Sequence, residues 1–245
     1  MVKWISMVIA YIAMIAVNVL ANTLPINGKT TQEISSSVNA LFTPANYVFS
    51  IWNLIYLLLA IWLLSAFTNR QSEKAISNEV AHLFILSCML NIGWIVAFHY
   101  ELFILSTVII VLLLVTLIFI YVSYPKENNS LGGRLPFSIY LGWISVVTIA
   151  SISFTLKYHE VTFRLDEVTI TIALILFAGL LAIIGRYVSD DIYFALVFVW
   201  AIIGIGVANS DMSIVLTSYA VVAAIVATML LMLFRSKNKI KQVPV

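Results

Sequence analysis

Charge is what this sequence has least of. Of 245 residues only 10% are Asp, Glu, Lys or Arg, while 62% are hydrophobic. A soluble domain carries about 25% charged residues, so a water-facing surface cannot be assembled from this chain. Disorder is excluded too, because disordered chains are polar and poor in aromatics, whereas Phe, Trp and Tyr make up 13% here. What remains is an all-α integral membrane protein with several spans, since a lipid-facing surface must be apolar and its backbone paired within helices. The mean hydropathy of +1.07 agrees.

Other absences remove other functions. Cys88 is the single cysteine, so there is no intrachain disulfide and no thiolate metal cluster; in its apolar run it reads as a small core residue. No Lys lies in the middle of an apolar run, which excludes a retinal Schiff base. There is no HExxH and no nucleotide-binding signature, and no catalytic residue, metal or cofactor is expected. Asp and Glu keep to span ends and loops, which weighs against an ion-coupled transporter and leaves carriers of uncharged substrates open. His82, His99 and His159 fall near span ends and read as interfacial residues. The net charge is +2, its excess in the tail RSKNKIK. That tail reads as a cytoplasmic end, with no nucleic-acid partner.

What is present is a series of apolar runs. A bilayer core of about 30 Å takes about 20 helical residues. Eight runs qualify: 4–21, 45–67, 80–98, 102–124, 136–156, 168–185, 192–208 and 213–234. The short link near His99 and Glu101 predicts a tight antiparallel hairpin of spans three and four. The first run is longer than a signal-peptide core and reads as a retained helix. With the N-terminus inside, Lys3, Arg70, Lys74, Lys126, Arg134, Arg186, Arg235, Lys237, Lys239 and Lys241 are cytoplasmic. Lys29, Lys157 and Arg164 lie opposite. Ten against three predicts both termini inside a bacterial-type plasma membrane and an even number of spans.

Polar and aromatic groups gather in three spans. In FTPANYVFSIWNLIYLLLAIWLL, residues 42–64, Pro44, Tyr47, Phe49, Trp52, Asn53 and Tyr56 occupy the first half. Trp52 and Tyr56 share a helical face. Thr43 is the expected N-cap and Pro44 the first helical residue. The Leu-rich second half is expected to face lipid, with Trp62, like Trp4, as a belt anchor. Asn91, Trp94 and Phe98 share a face of span three, and Gly93 there permits a close neighbour. Tyr140 and Trp143 stand one turn apart in span five, beside Gly142. Two readings stay open. The cluster is glue, Asn and Trp hydrogen-bonding across a bundle, or it is an aromatic-walled pocket for a flat apolar ligand.

These residues carry a resemblance. Thr43, Pro44, Val48, Phe49, Trp52 and Tyr56 match the second-helix signature W-T-P-P-x-W-V-F-x-x-V-W-T-x-L-Y of the TspO/MBR family, the tryptophan-rich sensory proteins. Asn91 and Trp94 match its N-x-x-W of helix three, and LPFSIYLGW resembles its P-Y-x-x-W of helix five. Ala45, Tyr47 and Asn53 depart from the signature, and Tyr140 stands where the family has Trp. Ser151 and Ser153 lie where Asn residues usually follow. The resemblance covers about residues 1–157. It implies a five-helix bundle whose first loop caps a pocket for porphyrins, other flat ligands or sterols, acting as sensor, carrier or porphyrin-degrading enzyme, and by analogy a homodimer. Residues 158–234 add three helices without a counterpart in that five-helix bundle, and 235–245 form the basic tail. A binding or sensory protein or carrier for a porphyrin-like ligand leads. The alternative is a small transporter of an uncharged or amphipathic substrate; a porphyrin-modifying enzyme and a structural subunit rank below. For a structural subunit, Gly204 and Gly206 would suit contact with a partner helix.

Overall fold

From Pro136 to Ile149 every residue of one helix is buried, and the rest of the chain is arranged around it. The computed structural model describes residues 2–24, 26–68, 76–161 and 164–240, with side chains to residue 234. Its helices are α1 (Val2–Thr23), α2 (Thr31–Ser36), α3 (Ile51–Thr68), α4 (Asn78–His99), α5 (Phe103–Val122), α6 (Leu135–Tyr158), α7 (Glu167–Ser189), α8 (Ile192–Ala208) and α9 (Met212–Ile240). Among the described residues there is no strand. Seven helical segments are long and apolar enough to cross a membrane, and α8 is a shorter apolar helix of 17 residues. At 1.5 Å per residue α8 spans about 25 Å, and its termini reach the two ends of the bundle. Asp191 meets the α5–α6 turn at one end, and Asn209 meets Leu41 at the other.

The buried helix is α6. On one side it packs against α5 and α3, and α4 lies between α1 and α5; on the other it packs against α8, which α7 and α9 cover. Gly142 makes the second contact possible. A Cβ there would stand 3.1 Å from Val197 Cβ and 3.2 Å from the Phe194 carbonyl oxygen, closer than side chains normally approach. The α4–α5 hairpin forms as predicted, turning through residues 100–102. Gly93 is not what brings those helices together, because a Cβ there would sit 3.8 Å from Ile109, an ordinary contact.

Short polar residues start several of the helices, accepting backbone N–H groups that the first turn leaves free. Ser77 accepts from Val80, Asp166 from Thr169, and Asp191 from Tyr193 and Phe194. The Thr169 hydrogen bonds hold the Asp166 carboxyl below its ordinary range. The α2 helix is closed by a capping box. The Thr30 hydroxyl accepts from the Glu33 N–H, and Glu33 Oε2 accepts from the Thr30 backbone at 2.6 Å and hydroxyl at 2.8 Å.

Those bonds hold the Glu33 carboxyl below its ordinary range, which fixes a sign. The cap contributes stability above the unfolded-state value and loses it as pH falls through the lowered folded value. Hydrogen exchange over residues 30–36, corrected for the intrinsic rate, is expected to speed up between neutral pH and about pH 3. Unchanged protection would show that the box does not hold α2.

A charged cluster closes the end that carries the N-terminus. Arg134 and Asp191 are buried and 3.8 Å apart. Asp191 accepts from the Tyr121 hydroxyl at 2.7 Å and from the Ser138 hydroxyl. Arg134 donates to the Ser189 carbonyl at 3.1 Å and lies over the Tyr121 ring. Lys126 donates to the Val188 carbonyl at 2.6 Å. The cluster ties the α5–α6 turn to the α7–α8 turn.

Several expectations for the second and third spans fail. Thr43 is not an N-cap and Pro44 does not begin a helix. Residues 46–50 form a 3-10 turn capped by the Ala45 backbone alone, and α3 starts at Ile51. The Ala45 N–H is already taken by the Gly204 carbonyl at 3.0 Å, which holds the chain extended up to that point. Trp62 is no belt anchor. It is fully buried between Phe84 and Phe137 and donates to the Tyr124 hydroxyl at 3.0 Å. The Leu-rich half of α3 also buries Leu58, Leu59 and Leu63, so it packs inward as well as facing lipid. His99 is likewise buried. Its Nδ1 donates to the Ile26 carbonyl and its Nε2 accepts from the Thr31 hydroxyl at 2.9 Å, fastening the loop after α1 to the end of α4. Of the residues in the charge count, Arg70, Lys74 and Lys241 lie outside the described residues, as do the side chains of Arg235, Lys237 and Lys239.

Candidate ligand pocket

Helical spacing sets Trp52 and Tyr56 on one face of α3, and that face meets α4 and α6. The Trp52 ring stacks on Tyr56 at 5.7 Å and on Trp94 at 5.9 Å, and meets Trp143 edge-on at 6.1 Å. Phe49 meets Trp143 edge-on at 6.0 Å, and Trp94 continues to Phe98 at 6.3 Å. Such offset and edge-on pairs contribute about 0.5–1.5 kcal/mol each beyond their buried area. The rings therefore form a stiff wall.

Two hollows lie against this wall. One is a small apolar cavity of about 70 Å³ among Pro44, Phe49, Trp52, Trp94, Phe98 and Trp143, closed by Thr31 and Ser35 of α2 and by Val146, Val147 and Ala150 of α6. The other is a cleft of about 400 Å³ between α1 and α3. It shares Thr31, Phe49, Trp52 and Trp94 with the first and adds Asn18, Asn22, Gln32, Asn46, Asn53 and Tyr56. Small-molecule sites occupy about 300–1,000 Å³, so the cleft is of that size and the inner cavity alone is not. The lining of both contains no Asp, Glu, Lys or Arg; amides and hydroxyls supply the polarity.

The indole N–H groups of Trp94 and Trp143 are buried without a protein acceptor. Buried donors are normally paired, and leaving one unpaired costs about 1–3 kcal/mol. Both rings line the inner cavity.

Most of the residues singled out from the sequence meet at this wall: Pro44, Phe49, Trp52, Trp94, Phe98 and Trp143 around the cavity, Asn53 and Tyr56 along the cleft. Three do not. The Tyr47 side chain is exposed and turned away, its ring 5.2 Å from Trp200 of α8, because the 3-10 turn places it on the opposite side from Phe49. Asn91 and Tyr140 lie behind the wall, where they hold helices together. The Asn91 amide donates to the Tyr140 hydroxyl at 3.0 Å, and its carbonyl oxygen accepts from the Asn18 amide at 2.7 Å. This pair hydrogen-bonds α4 to α6 and α1. Asn91→Ala is expected to lower stability by about 1–3 kcal/mol by leaving buried partners unpaired. Ligand affinity should stay within about twofold, because Asn91 touches neither hollow. A denaturant titration beside a binding isotherm checks both, and a large affinity loss with intact stability would put Asn91 in the site after all.

Some lining residues were not foreseen. Asn18 and Asn22, four apart in an apolar helix, gave the one usable signal. Thr31, Gln32 and Ser35 come from the short α2, which no apolar periodicity marks.

The class is thus defined: an integral, multi-pass, all-α membrane protein with an aromatic-walled hollow at one end of its bundle. Residues 3–234 match the family described as TSPO-like protein, and the chain belongs to that family. The match runs through α7, α8 and most of α9, well past the 1–157 over which the resemblance was read. No curated protein and no solved structure matches the chain.

Proposed function

We propose that this protein binds a flat, largely apolar ligand of the porphyrin type in the hollow walled by Trp52, Trp94 and Trp143. The observation that carries the reading is the aromatic wall itself: Trp52 and Trp94 face both a cleft of about 400 Å³ and the inner cavity that Trp143 backs, and the indole donors of Trp94 and Trp143 are buried without a protein acceptor. Stacked rings offer a flat ligand its whole face. The amides of Asn18, Asn22, Gln32, Asn46 and Asn53 offer hydrogen bonds to polar substituents at its edge. The family supports a membrane sensory or binding role. No pair of acid and base lines either hollow, so binding, sensing or carriage is favoured over turnover. The excess of positive charge on one side supports both termini in the cytoplasm and the pocket near the outer face.

Equilibrium dialysis of the detergent-solubilised protein against protoporphyrin IX tests this, with the recovered porphyrin analysed for change. Saturable uptake and recovery of unaltered porphyrin is the expected result. Uptake that never saturates, as for a detergent micelle alone, would refute the site; a modified porphyrin would move the protein to the enzymes.

A further inference from the structure

The segment 39–50 makes one edge of the pocket. It gives Thr43, Pro44 and Phe49 to the inner cavity and Asn46, Phe49 and Ser50 to the cleft. Until the 3-10 turn begins it has no helix to satisfy its backbone, and close to a membrane every N–H and C=O needs a partner. The partners come largely from the far side of α6. Lys157 at the end of α6 donates to the Asn39 carbonyl at 2.8 Å. Glu167 of α7 accepts from the Leu41 N–H at 3.3 Å. Asn209, after α8, donates to the Leu41 carbonyl at 2.9 Å. Gly204 of α8 accepts from the Ala45 N–H at 3.0 Å. Trp200 of α8 donates through its indole to the Val48 carbonyl at 3.1 Å. Side chains follow the same path. A Cβ at Gly204 would collide with Val48 Cγ2 and stand 3.2 Å from Pro44 Cβ. Only Gly allows the α8 backbone to come so near.

We propose that α7 and α8, with α9 packed against both, are the scaffold of the pocket rather than a second functional unit, and that Trp200, Gly204 and Asn209 are positioning residues. They touch neither hollow, yet they hold segment 39–50 where Pro44 and Phe49 complete the aromatic wall. The inference rests on the pocket reading for its effect on a ligand, while the tether itself stands on contacts within the chain. It assigns a role to the three helices beyond the five-helix bundle, and it gives Gly204 an intramolecular partner in place of a second subunit.

The test uses the full-length protein in detergent, with Trp200→Phe, Asn209→Ala and the double variant. Trp200→Phe keeps an aromatic ring beside Tyr47 and removes the donor together with the pyrrole part of the indole. Without ligand, hydrogen exchange over 39–50 in the double variant is expected to rise about tenfold, with peptides of α4 and α5 unchanged. Affinity for protoporphyrin IX should fall about fivefold or more in parallel. Gly204→Ala, which pushes on Val48 and Pro44, should weaken binding although it removes no hydrogen bond. A merely structural role would instead speed exchange in all helices together. Unchanged exchange over 39–50, or faster exchange there with full affinity, overturns the proposal. If the unaltered protein does not bind protoporphyrin IX at all, the pocket reading falls alone, because the exchange result still decides the tether.

Discussion

Asp191→Ala is expected to lower the unfolding midpoint by about 6–20 °C. The side chain is completely buried and does three jobs. It faces Arg134 at 3.8 Å, it accepts hydroxyl hydrogen bonds from Tyr121 and Ser138, and it caps α8 through the N–H groups of Tyr193 and Phe194. Removing one partner of a buried ion pair leaves the other charge uncompensated, which costs about 3–5 kcal/mol. In a chain of this size each kcal/mol moves the midpoint by about 2–4 °C. Asp191→Asn separates the contributions. Its amide oxygen can still cap the helix, so the loss there should be smaller and should come mainly from the stranded Arg134. Thermal unfolding followed by fluorescence of the buried tryptophans measures both. A midpoint within about 2 °C of the unaltered protein for Asp191→Ala would mean that the two turns are not joined by this pair.

The second large effect concerns binding. Replacing Trp52 and Trp143 together by alanine is expected to reduce affinity for protoporphyrin IX by about 5–150-fold, the factor that corresponds to losing about 1–3 kcal/mol of aromatic contact. Trp52 is the residue common to both hollows, touching Tyr56, Trp94, Tyr140 and Trp143, and Trp143 is the back of the inner cavity and carries one of the free donors. Tyr140→Phe is the matched control. It removes a buried hydroxyl that pairs with Asn91 and leaves the wall's rings in place, so affinity should hold. Equal affinity in the double variant and the unaltered protein would show that porphyrin binds elsewhere or only to the detergent.

The sequence made much of this architecture legible, and the reasons it failed elsewhere are physical. Apolar run length located eight helices because lipid leaves the backbone no other way to pair itself. Trp52, Trp94 and Trp143 stand out because polar and aromatic groups gather on their helical faces and match the family's motifs. Trp62 escapes the sequence because a buried indole and one at the membrane surface sit in the same kind of apolar run; its burial between Phe84 and Phe137 and its hydrogen bond to Tyr124 separate them. Asn91 and Tyr140 could not be told from pocket residues, since helical spacing gives a face but not which side of a ring wall that face meets. The start of α3 was misplaced because Thr43 and Pro44 form a good local helix signal that the distant Gly204 overrides. Nothing in the residues around position 45 announces a hydrogen bond to position 204. The same holds for Arg134 and Asp191, which read as ordinary loop charges until the two turns meet.

One measurement bears most directly on the central claim, that the aromatic wall is a binding site. The unaltered protein in detergent is titrated with protoporphyrin IX while its tryptophan emission is recorded, with free tryptophan in the same detergent as the reference. The account predicts saturable quenching that levels off at one porphyrin per chain and spares a fraction of the emission, because Trp4 and Trp62 lie toward the opposite end of the bundle from the pocket. Quenching that rises without limit and matches the free-tryptophan reference would contradict it.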